Sequence, residues 1–109
     1  MKYTSSPEQW GENITKAAIH FKAIASVKVS PQWAFIESKI REHYGRVDGL
    51  STIEIGAGLG KMSAIMALMG GQSTVLDYSP AVIVKSEEMF TYIGANAEFT
   101  SCDALKLPE

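Results

Sequence analysis

Three glycines, Gly56, Gly58 and Gly60, alternate directly behind the short branched run Ile53-Glu54-Ile55, and an apolar stretch follows them. Strand, glycine turn, helix is the order in which such glycines carry chemistry. Without side chains the backbone turns tightly and lets a ligand come close. The free N–H groups opening the next helix attract an anionic group; the plain alternative is a tight turn that binds nothing. Asp77 lies about 20 residues further on, at the end of a second branched run. A carboxylate there can accept hydrogen bonds from both hydroxyls of a ribose. Its other possible task is to cap the helix after Ser79. Ser79 itself supplies that cap, which leaves Asp77 free for a ligand. Asp103 follows a third short run and is expected to reach the same cleft edge, or else to be an ordinary turn residue.

Other chemistries find less support. Lys61 stands too close to the glycines for a phosphate-binding P-loop, and no Ser or Thr directly follows it. Cys102 is the single cysteine, so it has no disulfide partner within the chain and no zinc spacing. It is expected to be a small buried or half-buried thiol, because nothing in the sequence identifies a base or an activating site. His20 adjoins an apolar helix face and His43 suits a helix C-terminus, so both read as structural or surface residues. Trp10 and Trp33 read as core anchors, with Trp10 and Tyr3 as the alternative, a lid. Glu12, Glu87 and Glu88 fit solvated helix positions, and no carboxylate pair has a spacing suited to hydrolysis or to a metal.

The elements that hold these residues follow from local signals. Ser6-Pro7-Glu8-Gln9 combines a capping serine, proline at the first helical position and Gln three residues after the cap. Behind it Trp10, Ile14, Ala17, Ala18, Phe21 and Ala25 recur at helical spacing, until Val27, Lys28 and Val29 interrupt the pattern. Ser30-Pro31 repeats the start signal. Trp33, Ile36, Ile40 and Tyr44 line a second helix, which Gly45 stops. Strands are expected over 51–55, 73–76 and 97–101. Between them fall a helix over 59–69, ended by Gly70-Gly71, and one opened by Ser79-Pro80 and stopped by Gly94. Val82, Ile83, Met89, Phe90 and Ile93 give that last helix a face for packing on a sheet. The alternation predicts an α/β fold with three parallel strands and right-handed crossovers. Residues 1–48 would form an N-terminal helical cap and residues 49–109 a partial ligand-binding domain of this α/β type.

Bulk properties agree. The 109 residues allow one domain, and an apolar fraction of 46% supports a core. A formal net charge of -2 with 20% charged residues gives no polybasic surface, so neither nucleic acid nor a membrane surface is indicated as a partner. The N-terminus has no signal-peptide core, and the longest greasy stretch, near 65–69, is too short to span a bilayer. The lone cysteine suits a reducing cytoplasm.

Taken together, these motifs resemble the class I S-adenosylmethionine-dependent methyltransferases. Glu54-Ile55-Gly56-Ala57-Gly58-Leu59-Gly60 looks like the family's first motif, Val75-Leu76-Asp77-Tyr78-Ser79-Pro80 like its second and Ser101-Cys102-Asp103-Ala104-Leu105-Lys106-Leu107-Pro108 like its third. The resemblance covers the chain from Leu50 onward. It implies a Rossmann-like fold with S-adenosylmethionine as cofactor. It gives Glu54 the task of organising the loop and the methionine end. Gly56, Ala57, Gly58 and Gly60 become the loop itself, and Asp77 the ribose ligand. Tyr78 would lie along the adenine, Asp103 would receive the adenine amino group, and the Ala104 N–H would contact the ring.

The family domain continues beyond its third strand, so this chain is expected to carry an incomplete sheet without the acceptor side of the cleft or the general base. No residue of the chain is assigned as catalytic. In the family order the first strand would have a free apolar edge, a place for a further strand or for self-association. Fold analogy favours a small-molecule acceptor. Two other functions compete: a noncatalytic binding or assembly module that keeps the cofactor fold, and a fragment of a nicotinamide-dependent oxidoreductase. Glu54, the spacing through Gly60 and the Asp103 motif count against the oxidoreductase.

Overall fold

The structure, a computed structural model, describes the backbone of residues 7–103 and the side chains of residues 15–103. Its elements run α1 (Pro7–Lys28), α2 (Pro31–Tyr44), β1 (Ser51–Ile55), α3 (Lys61–Leu68), β2 (Gln72–Asp77), α4 (Pro80–Ile93) and β3 (Ala97–Ser101). The strands form one parallel sheet in the order β1-β2-β3, with Ile53 beside Thr74 and Val75 beside Phe99. Both crossovers step the same way across the sheet, so crossovers of one hand put α3 and α4 on one face. The architecture is an incomplete Rossmann-like α/β fold: three parallel strands flanked by helices.

Local chemistry accounts for the helix ends. The Trp33 N–H donates to Ser30 Oγ at 3.2 Å at the start of α2, and the Val82 N–H donates to Ser79 Oγ at 3.4 Å at the start of α4. Gly45 and Gly94, with φ of 79° and 74°, close the same two helices in the left-handed conformation, where an L side chain is strained. The Ser6 cap lies outside the described residues.

The core fills the space between the helices and one sheet face. Trp33, Ile65, Val75, Met89 and Phe90 are buried, and Phe90 meets Phe99 edge to face with centroids 5.0 Å apart. Burying one such side chain stabilises the fold by about 1.5–3 kcal/mol. Trp33 is a core anchor; the side chains of Tyr3 and Trp10 lie outside the described residues. On the other sheet face Ile53 and Ile55 are 66% and 55% exposed, and β1 has a neighbouring strand on one side alone among the described residues.

Three expectations require correction. Helix α1 continues through Val27 and Lys28, because Val27 belongs to its packed face. That face is Ala17, His20, Ile24 and Val27, laid across α3 and α4. Ala18, Phe21 and Ala25 face solvent, and the Ile14 side chain lies outside the described residues. Tyr44, on the last turn of α2, is 67% exposed rather than packed with Trp33, Ile36 and Ile40. Helix α3 begins at Lys61 rather than Leu59, because Gly58 and Gly60 hold φ of 60° and 73°, outside the right-handed helical region.

Candidate functional site

The glycine turn joins β1 to α3 at the carboxyl end of the sheet. The Ala57 N–H donates to the Leu76 carbonyl at 3.1 Å, which ties the turn to β2, and the Gly60 N–H closes the turn on the Ala57 carbonyl at 3.0 Å. The glycines do different work. A Cβ on Gly56 or Gly58 would meet nothing within 4 Å, so space stands open in front of them. A Cβ on Gly60 would lie 3.3 Å from both Val75 methyl carbons and 3.4 Å from Ser86 Oγ. Gly60 therefore seats the turn against β2 and α4.

Gly60 is also the N-cap of α3 and has no side chain with which to cap it. Glu54 does this from β1: its Oε1 accepts from the Ser63 N–H at 3.2 Å and from Ser63 Oγ at 2.6 Å. A carboxylate at a helix N-terminus is favourable both as an acceptor and toward the helix dipole. Ser63 is fully buried, and its carbonyl accepts from Ser73 Oγ at 3.0 Å. Glu54 thus fixes the direction of α3 behind the turn. The N–H groups of Gly56, Leu59, Lys61 and Met62 take no hydrogen-bond partner among the described residues. These donors, together with the positive end of α3, suit a carboxylate or another anion.

Asp77 ends β2 beside the turn. Its Oδ2 accepts from the Gly58 N–H and its Oδ1 from the Ser79 N–H, each at 3.0 Å. The backbone hydrogen bonds from Ser79 and Gly58 hold its carboxyl below the usual aspartate range, against a smaller opposing effect of desolvation. Asp77 is therefore not left free by the Ser79 cap, as the sequence suggested; it latches the glycine turn to the start of α4. Each carboxylate oxygen has a second lone pair for a further donor.

Asp77 lines a shallow cleft with Ile55, Gly56, Leu76, Tyr78, Cys102 and Asp103. Here the three sequence motifs meet. The Cys102 N–H donates to the Asp77 carbonyl at 3.0 Å, and Ser101 Oγ donates to the Tyr78 carbonyl at 3.2 Å, binding the end of β3 to the end of β2. The Tyr78 ring stands 76% exposed at the rim, while Cys102 and Asp103 are half-buried. Ala104 lies outside the described residues. The cleft holds about 190 Å3, below the roughly 300–1,000 Å3 of a complete ligand pocket, and so suits one part of a ligand that continues along the turn. A second depression of about 330 Å3 lies across the turn, between Val27, Glu54, Leu59 and Lys61. A larger groove of about 600 Å3 opens at the amino ends of the strands, away from the glycine turn. The carboxyl-end cleft fits ligand binding better, since open α/β sheets bind ligands there.

Among the described residues no group of three or more His, Cys, Asp or Glu could hold a metal, and no helix is long and apolar enough to cross a membrane. His20 stacks on Tyr92 with centroids 5.5 Å apart, which makes it part of the packing of α1 on α4, and His43 is exposed. Two residues escaped the sequence reading, Ser63 and Ser86. Both are buried serines within apolar helical stripes, and a buried hydroxyl in such a place must find an acceptor.

No protein-family model matches the sequence, and none of the curated proteins matches it. Solved structures do. One is a protein studied for the conversion of a disulfide bond into a thioacetal group during echinomycin biosynthesis, with 27% identity and a TM-score of 0.55 over 69% of this chain and 29% of that one. Another is the [4+2]-cyclase SpnF, with 19% identity and a TM-score of 0.56 over 68% and 28%. A third is the tRNA (uracil-54, C5)-methyltransferase of Pyrococcus abyssi in complex with S-adenosyl-L-homocysteine, with 17% identity and a TM-score of 0.52 over 64% and 18%. The fold broadly resembles that of class I methyltransferase-like proteins that bind S-adenosylmethionine. The chain spans less than a third of the length of each of these three structures.

Proposed function

We propose that this chain is the cofactor-binding part of an S-adenosylmethionine-dependent methyltransferase. The observation that carries this reading is the pair of depressions flanking the glycine turn. Gly56, the carboxylate of Asp77, the exposed Tyr78 and the half-buried Asp103 line one, and Leu59, Lys61 and Met62, whose N–H groups are unpaired, line the other. A nucleoside with an amino-acid tail has matching parts in the same order. The N–H groups of Gly56, Leu59, Lys61 and Met62 would receive the tail carboxylate, and Glu54 would hold the turn in place for it. Gly56, Ala57, Gly58 and Gly60 would form the floor beneath the tail. Asp77 would accept from the ribose hydroxyls with the lone pairs left over from its backbone contacts. Tyr78 would cover the adenine, Asp103 would accept from its amino group, and Ala104 would contact the ring.

When bound, S-adenosylmethionine supplies an electrophilic methyl group on a sulfonium centre. The chain's part is to hold the donor in one orientation, so that an acceptor brought into line meets the methyl at a productive angle. The acceptor, most simply a small molecule, and any general base would come from outside the residues described. On this reading the bare edge of β1 is where the sheet continues, in the same chain or in a second copy.

The similarity to a [4+2]-cyclase favours one other reading, that the fold serves a task other than methyl transfer. Both readings keep the ligand surface, so the first test concerns that surface. Asp77→Ala should weaken binding of S-adenosylhomocysteine at least tenfold in a calorimetric titration while leaving the circular dichroism of the chain unchanged. Equal affinity in a folded variant would remove Asp77 from the site.

A further inference from the structure

Ser86 sits on α4, well outside the three motifs, and is fully buried. The hydroxyl of a helical serine or threonine commonly donates to a carbonyl of its own preceding turn. Ser38 and Thr91 do this here, donating to the carbonyls of Phe35 and Glu87. Ser86 does not. Its Oγ leaves the helix and donates at 2.6 Å to the carbonyl of Leu59, inside the glycine turn. Leu59 lies between the two left-handed glycines that set the path of the turn, and its N–H is one of the unpaired donors. The same Oγ would lie 3.4 Å from a Cβ on Gly60, so the serine also fills the space beneath the turn.

We infer that Ser86 is a positioning residue: by holding the Leu59 carbonyl inward, it keeps the peptide N–H groups of the glycine turn aimed at the ligand's amino-acid tail. The inference rests on the reading of that turn as the tail site. A peptide unit is planar, so anchoring the Leu59 carbonyl also holds the Gly60 N–H on the Ala57 carbonyl, and this fixed unit sits between the two peptide units that carry the unpaired N–H groups of Leu59 and Lys61. Without the anchor the turn keeps its ties through Ala57 and Gly58 but loses the one nearest α3. The adenosine end of the surface, at Asp77, Tyr78 and Asp103, does not touch Ser86 among the described contacts.

Two variants separate hydroxyl from volume. Ser86→Ala removes the donor and leaves a small gap; Ser86→Cys fills the space with a weak donor. Both should speed amide exchange at Gly60 by about tenfold, the factor corresponding to a lost hydrogen bond of ordinary strength, with exchange at Val75 in β2 unchanged. Both should weaken S-adenosylhomocysteine binding by a similar factor and leave adenosine binding as in the wild type. A purely structural role would weaken the two ligands together. Turn exchange equal to wild type, a Ser86→Cys variant that behaves as wild type, or equal losses for both ligands would each overturn the inference. Should Ser86→Ala fail to fold, Ser86→Cys decides. Should the wild type not bind S-adenosylhomocysteine, the proposed function falls, and the turn's exchange alone decides whether Ser86 anchors it.

Discussion

Gly60 and Gly58 offer a controlled comparison within one turn. Both hold φ in the left-handed region, at 73° and 60°, where any L side chain is strained. Giving either a methyl group costs about 1–2 kcal/mol for that conformation. The surroundings then differ. At Gly58 the new Cβ enters open space, so the conformational cost is the whole effect. At Gly60 it lies 3.3 Å from two methyl carbons of Val75 and 3.4 Å from Ser86 Oγ, and both neighbours are buried and held. Such overpacking adds about 1–3 kcal/mol. Gly60→Ala should therefore be less stable than wild type by about 2–5 kcal/mol, a large part of the roughly 5–15 kcal/mol typical of a domain. Urea denaturation followed by circular dichroism gives both values on one scale, with the slope as a check that the unfolding transition is unchanged. If Gly60→Ala matches Gly58→Ala within about 0.5 kcal/mol, a threshold near the usual scatter of surface substitutions, the turn is not seated on Val75 and Ser86.

Two further outcomes follow from the packing and the latch. Trp33→Ala should cost about 3–5 kcal/mol in the same assay, because Trp33 is 2% exposed and joins α2 to the core; a cost under about 1 kcal/mol would mean that α2 is not part of the cooperative unit. The depressed pKa of Asp77 implies stability that is fully present above the ordinary aspartate value and is lost as pH falls through the lower folded value. Thermal midpoints should therefore drop more steeply below about pH 4 in wild type than in Asp77→Asn, and parallel profiles would contradict the latch to Gly58 and Ser79.

Much of the fold was legible because its signals are local. Ser30 with Gly45, and Ser79 with Gly94, bracket their helices through cap chemistry that needs no tertiary information. The three short branched runs separated by helical stretches give a parallel sheet by chain connectivity alone. The face of α1 was not legible. Ile19, Phe21, Ile24 and Val27 spread apolar residues around the helix, so period alone does not choose a side; contact with α3 and α4 chooses Ala17, His20, Ile24 and Val27. The start of α3 was set by backbone angles at Gly58 and Gly60 that composition does not specify.

The site divides the same way. The glycines, Asp77 and Asp103 could be named from their positions and Glu54 from the resemblance of the first motif, and the structure brings them to one end of the sheet. The hydrogen bonds Asp77 makes depend on how the turn folds back, which spacing does not give. Ser63 and Ser86 did carry a signal: a serine on a stripe such as Ile83, Ser86 and Phe90 is a hydroxyl in an apolar place. The partner of that hydroxyl becomes visible only once α4 is laid beside the turn.

The most direct test of the central claim is calorimetric titration of the 109-residue chain with S-adenosylhomocysteine, with NAD titrated under the same conditions as the comparison. The account predicts saturable binding of S-adenosylhomocysteine at one site per chain and none of NAD. A folded chain that binds NAD in preference, or binds neither, would contradict it.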